Sequence, residues 1–258
     1  MKKSLFLFFI LAFLQFHSTY AQYGPSLVSG RPGNANGAGT VGKGILQFQA
    51  GLQYAGTTSI FDSTKYDTEF SENLVVRFGL SERFEVSTVL NHITTSTYSP
   101  FGEDVKASGF TTTMLRARYR PLNNLAIQVA MNIPVLGNDF ERNSVLPQLR
   151  VMYNTNFSEN LSLTTNLGAQ WVAPKENPLG FYVFSFSANL PLDLSLILES
   201  YGNFDQMGVR NFYDIGLAYF FKPDLMFDLN AGWGENFGIE SYFVTTGFSY
   251  RIKTKYRD

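Results

Sequence analysis

Tyr182-Val183-Phe184-Ser185-Phe186-Ser187-Ala188-Asn189-Leu190 is the stretch that decides the fold. In an extended chain Tyr182, Phe184, Phe186, Ala188 and Leu190 fall on one side, and Val183, Ser185, Ser187 and Asn189 on the other. Period two is the mark of a strand with one greasy and one wetter face. The pattern returns at Leu225, Phe227, Leu229, Ala231 and Trp233, interleaved with Met226, Asp228, Asn230, Gly232 and Gly234. Working outward, about a dozen such segments run from Ile45 to Arg251, joined alternately by tight turns and longer polar loops. Ser81-Glu82, Pro121-Leu122-Asn123-Asn124, Ser158-Glu159, Pro191 and Lys222-Pro223-Asp224 are the tight turns. Residues 56–69, 93–109, 134–144, 172–179, 202–210 and 235–240 read as the longer loops. An even number of strands, each roughly ten residues long, with short turns on one side only, predicts an all-β chain: a closed antiparallel transmembrane β-barrel of about 12 strands.

Composition agrees with that reading. The 258 residues are 45% hydrophobic and 16% aromatic, with 25 Phe and 14 Tyr, yet the mean hydropathy is close to zero. Helical spans need runs of about 20 apolar residues, whereas a barrel hides its hydrophobicity in alternation. A net charge of -1 argues against a nucleic-acid partner. Lys2 and Lys3 precede an apolar stretch from Leu5 to Leu14, and Thr19-Tyr20-Ala21 supplies small residues before Gln22. That order predicts a signal peptide over 1–21. Residues 22–43, rich in Gly, Asn and Pro and without a period, form a periplasmic lead-in or plug, and 44–258 the outer-membrane barrel. The absence of cysteine rules out disulfides, thiolate metal sites and a cysteine nucleophile.

Two checks bear on the membrane assignment. Charge on the lipid face costs about 2–4 kcal/mol at the midplane. The register puts no charge outward, and Leu163 and Leu196 face lipid beside inward Thr164 and Ser195. Aromatic girdles are expected at both interfaces. Tyr54, Trp171, Tyr182, Tyr213, Trp233 and Tyr242 fall at the external ends; Phe84, Tyr119, Tyr153, Tyr219, Phe248 and Tyr250 fall at the periplasmic ends. A soluble β-sandwich also alternates, but has no reason to keep two such belts.

Ser29-Gly30-Arg31-Pro32-Gly33, followed by Val41-Gly42-Lys43-Gly44-Ile45-Leu46-Gln47-Phe48-Gln49-Ala50-Gly51-Leu52-Gln53-Tyr54, resembles the opening of the phenol-degradation (MetA-pathway) family of outer-membrane proteins, often labelled transporters. The matching pattern is an Arg-Pro element followed by V-x-K-G-x-x-Q-x-x-x-G, and it covers the lead-in and the first strand. The resemblance implies an exported barrel that moves small, aromatic or hydrophobic, compounds.

Little in the sequence suggests catalysis. Past the leader there is one histidine, His92, without a recognisable serine motif around it, and scattered loop acids give no metal-ligand spacing. No cofactor is expected. The inward positions carry more information: Arg77, Arg116, Arg118 and Arg150 project from the first half, and Asp193, Glu199, Asp214 and Asp228 from the second. Glu85 and Arg251 are the exceptions. Two arrangements are open: the walls interlock into a closed polar core, or they stand apart and set a transverse field across a pore. The expected function is an outer-membrane channel for small solutes in a Gram-negative bacterium, by passive or facilitated diffusion. Its expected partners are membrane lipid, a small solute and, during biogenesis, the barrel-assembly machinery. The rivals are a non-conducting structural or partner-binding barrel and a rim or lumenal hydrolase.

Overall fold

The computed structural model describes residues 27–61, 66–98, 103–135, 137, 139–174 and 176–254. The expected signal peptide, and residues 22–26 of the lead-in, lie outside the described residues. Twelve strands make the described barrel. They are β1 (Ile45–Ser59), β2 (Tyr66–Gly79), β3 (Phe84–Tyr98), β4 (Val105–Leu122), β5 (Leu125–Asn132) and β6 (Leu146–Asn156), then β7 (Leu161–Gln170), β8 (Leu179–Leu190), β9 (Leu194–Asp205), β10 (Gly208–Lys222), β11 (Leu225–Asn236) and β12 (Ile239–Lys253). Each pairs antiparallel with its sequence neighbours, and β1 closes the ring on β12 from Ile45↔Lys253 to Ser59↔Ile239. Closure leaves no unpaired edge, the condition for backbone polar groups to survive in hydrocarbon.

The outer face is apolar and uncovered. Leu52, Leu115, Leu149, Leu167, Ile215 and Leu229 are each 45–55% exposed. Aliphatic exposure on that scale all around one surface has lipid as its natural cover. Tyr213, Trp233 and Tyr242 are successive cross-strand partners toward the external end, and Tyr219, Phe227 and Phe248 toward the periplasmic end. Inward positions are buried and mostly polar: Gln47, Gln128, Asn166, Asn230 and Ser249 are at most 2% exposed. Thr164 and Ser195 are buried in the same way, and alternation puts Leu163 and Leu196 outside.

Three expectations need correcting. Residues 202–210 and 235–240 are not long loops. β9 and β10 pair up to Asp205↔Gly208, and β11 and β12 up to Asn236↔Ile239. The second hairpin turns on Phe237 and Gly238, with φ of 55° and 79°, the two left-handed residues of a type I′ turn. The strands overrun the bilayer there, so polar side chains such as Asn203, Arg210 and Glu235 sit on paired backbone and read as loop from composition alone. Second, charge does face outward: Glu235 and Glu240 share the outer face with Trp233 at the external end, and one acid lies deeper. Glu72 projects from β2 one rung below Tyr54 and Phe70, with the His92 Nδ1 3.6 Å away. Near the interface the cost of a carboxyl falls well below its midplane value, and the imidazole partners it. Third, Asp193 does not point into the lumen. It lies exposed in the β8–β9 turn with φ 58°, where the period-two parity no longer applies.

Candidate functional site in the barrel lumen

Side chains on the inner wall of β2, β3 and β4 form rungs. From the external side downward they are Asn73–Asn91–Thr112, then Val75–Val89–Met114, then Arg77–Ser87–Arg116, then Gly79–Glu85–Arg118. Arg118 continues through Gln128 to Arg150 on β6. The four arginines picked from the sequence therefore share one wall. On the far side Glu199 of β9 is the direct cross-strand partner of Asp214 on β10, and Asp228 follows on β11. All three acids are buried.

The two walls do not touch. Among the described residues, no ion pair joins Arg77, Arg116, Arg118 or Arg150 to Glu199, Asp214 or Asp228. Residues 27–43 lie between them. The chain enters at the periplasmic end, where the Leu27 amide donates to the Pro223 carbonyl. It climbs to Arg31, whose Nε and Nη2 donate to the two Asp228 oxygens at 3.0 and 2.8 Å. It then crosses the lumen. Glu199 accepts the Asn34 and Ala35 amides at 2.5 and 3.2 Å, and Asp214 accepts Asn34 Nδ2 at 3.2 Å. On the arginine wall Arg150 donates to the Asn34 carbonyl at 3.4 Å, and Arg118 to the Gly37 and Gly39 carbonyls at 3.3 and 2.9 Å. Acids hold backbone amides and arginines hold backbone carbonyls, so each wall meets the half of the peptide group that suits its charge. Arg77 likewise donates to the Val28 and Gly39 carbonyls, at 2.7 and 3.3 Å, and also holds Glu85 in a two-point contact at 2.8 and 2.9 Å.

Glycines make the seat. A Cβ at Gly51 would lie 2.3 Å from the Arg31 guanidinium and one at Gly247 2.5 Å; these two residues face each other across β1 and β12. Gly33 has φ +89°, and a Cβ there would fall 2.6 Å from the Glu199 carboxyl. Gln47 Nε2 donates to the Val28 carbonyl at 2.9 Å, and the Val41 amide to Glu85 at 2.9 Å. Arg31, Val41, Gln47 and Gly51, the residues that carry the sequence resemblance, thus fasten the segment to the wall. The sequence marked Arg31 through the family pattern, without naming its partner. It gave no sign of Asn34 and Asn36, nor that the inward Asn154 and Asn166 anchor the crossing through Asn166–Asn36 and Asn154–Ala38 hydrogen bonds.

Above the segment lies a cavity of about 470 Å³. Its floor is Gly30–Asn36; Val75, Val89, Met114, Arg116 and Arg150 line one side, and Tyr201, Phe243 and Thr245 the other. A volume in the range about 300–1,000 Å³ with a few convergent polar groups is that of a small-molecule site. His92, the single histidine past the leader, pairs with Glu72 on the outside of the barrel. No group of three or more His, Asp or Glu among the described residues could hold a metal ion.

The sequence pattern of a family described as "Putative MetA-pathway of phenol degradation" matches residues 29–252. The chain belongs to this family. It is similar in structure to an outer membrane channel from Pseudomonas putida F1, at 12% identity and TM-score 0.67, covering 86% of this chain and 99% of that one. It is also similar to the β domain of the Bordetella autotransporter BrkA, at 11% identity and TM-score 0.58, covering 81% and 100%. A mutant of the TodX monoaromatic hydrocarbon channel aligns at 10% identity and TM-score 0.50, covering 82% and 91%. At such identities the likeness shows the outer-membrane barrel fold. No curated protein sequence matches the chain.

Proposed function

We propose that this barrel is a channel of the Gram-negative outer membrane that admits small solutes by passive or facilitated diffusion, and that residues 27–43 are a plug that narrows it. The observation that carries the reading is the cavity of about 470 Å³, lined by Arg116 and Arg150 and floored by the lead-in. A barrel built only as an anchor needs no such space. Membership of the family and the barrel fold shared with channels both support it. A hydrolase is disfavoured, since the histidine lies on the lipid side and the lumen carboxylates are engaged with the lead-in. Lipid is the partner of the apolar outer face, and the barrel-assembly machinery is the partner that inserting such a fold calls for. Swelling of liposomes carrying the purified protein tests the reading. Entry of small mono-alcohols and monocarboxylates, with exclusion of a trisaccharide, is the expected result; no entry of any solute would leave the structural-barrel reading standing.

A further inference from the structure

Four arginines crowd one wall, and three of them are spoken for. Arg77 is matched by Glu85, Arg118 by three lead-in groups and Gln128, and Arg150 by Asn34 and Asn166 while lying 4.8 Å over the Phe181 ring. Arg116 differs. Its Nε donates to the Met114 sulfur at 3.2 Å, a weak acceptor. Its two terminal nitrogens have no carboxylate or carbonyl partner among the described residues. It is also the first arginine rung above the lead-in, and it lines the cavity.

The surroundings define what Arg116 could take. On the strands of the periplasmic half of this wall Glu85 is the one carboxylate among the described residues, and Arg77 occupies both of its oxygens; Glu82, in the β2–β3 turn, accepts the Lys43 amide. Glu69, at the external end of the cavity, is the next inward carboxylate on β2, eight residues from Arg77, or about 26 Å along the strand at about 3.3 Å per residue. Arg116 therefore sits in a surplus of positive charge, partly removed from water, where an incoming anion gains more than it would in bulk solvent. Immediately above lies the Val75–Val89–Met114 rung, backed by Ala130. One rung higher come Asn73, Asn91 and Thr112. Adjacent rungs are two residues apart, about 6.6 Å, which is the length of one aromatic ring or a chain of four to five carbons.

We infer that the cavity is a binding site for small organic monocarboxylates: the carboxylate pairs with the terminal nitrogens of Arg116, and an apolar body one ring long lies against Val75, Val89 and Met114. A guanidinium fork matches a carboxylate through two parallel hydrogen bonds. The apolar rung separates such a ligand from inorganic anions, which gain nothing from it, and the guanidinium separates it from neutral hydrocarbons. This inference rests on reading the lumen as a solute path and adds the class of solute.

Equilibrium dialysis of labelled benzoate against the full-length protein in neutral-headgroup micelles tests it. Benzyl alcohol and chloride serve as competitors, and Arg116→Gln, Arg116→Lys and Val75→Ser as variants. Heat-modifiable migration on gels verifies that each variant is a folded barrel. Benzoate should bind at least about tenfold more tightly than benzyl alcohol, because a charge-assisted pair is the stronger contact. Arg116→Gln should erase that preference and leave benzyl alcohol unchanged, Arg116→Lys should keep part of it, and Val75→Ser should weaken both ligands. Equal binding of benzoate and benzyl alcohol to the wild type would overturn the site, as would benzoate affinity that survives Arg116→Gln, or competition by chloride as strong as by benzoate. Binding is read without any flux across a membrane, so a protein that binds benzoate but passes no solute would count against the channel and not against the site.

Discussion

A methyl group added at Gly51 would lie 2.3 Å from the Arg31 guanidinium, closer than atoms pack, so Gly51→Ala should expel that side chain from its slot. Asp228 would then be left buried without its counter-ion. Stranding one partner of a buried pair costs about 3–5 kcal/mol where water is excluded; lumen water should hold the loss to about 3 kcal/mol or less. Asp228→Asn removes the same contact from the other side, so the two penalties should not add. A double-mutant cycle on urea unfolding checks this, and strictly additive losses would show that Arg31 and Asp228 are not coupled in the membrane-inserted protein. At this scale parity was a good guide. Arg77, Arg116, Arg118, Arg150, Glu199, Asp214 and Asp228 all fall on inward positions because every second residue of a strand must. Partners were harder to read. Nothing in the local sequence links Arg31 to an acid 197 residues away, or tells that Asn34 bridges Glu199 and Asp214. Asp193 misled because parity was carried one residue into a turn.

Strands are the units that meet lipid, and their two faces should respond differently to charge. Leu198 on β9 and Leu229 on β11 are outward and 46% and 55% exposed. Arginine at either should cost about 2–4 kcal/mol if it lies near mid-depth. Arginine at the inward Ser185, the cross-strand partner of Glu199, should cost clearly less. Guanidinium-induced unfolding in lipid vesicles measures both, and equal penalties would mean the register is displaced by one residue. The number and order of strands were legible because alternation holds through twelve segments. Strand length was not. Polar residues beyond the bilayer continue the ladder, so β4 runs 18 residues while β5 stops at 8, and the β9–β10 and β11–β12 connections shrink to two residues. Backbone pairing sets those ends, and composition reports only the solvent.

For the whole molecule, the short turns and the described chain ends share one side of the barrel. In a chain free of native cysteine, cysteines placed at Asp104 and Met207 should react with an impermeant thiol reagent on intact cells, and ones at Asn123 and Glu159 should not. The opposite pattern would invert the topology. The lead-in was recognised from sequence only by its lack of a period, which could not distinguish a free tail from an ordered occupant. What orders it is a set of contacts with β1–β4, β6, β7 and β9–β12, made possible once the barrel closes and brings those strands around one axis.

The central claim is that residues 27–43 fill the periplasmic half of a lumen that would otherwise conduct. Single-channel current through the wild type and through a variant lacking residues 27–40, in the same planar bilayer and salt, measures this directly. The account predicts a folded, heat-modifiable variant whose unitary conductance is several-fold higher than that of the wild type, in the manner of a pore relieved of a polar obstruction. Equal conductance in the two proteins would contradict it, showing that the segment leaves the lumen in the membrane and sets nothing about passage.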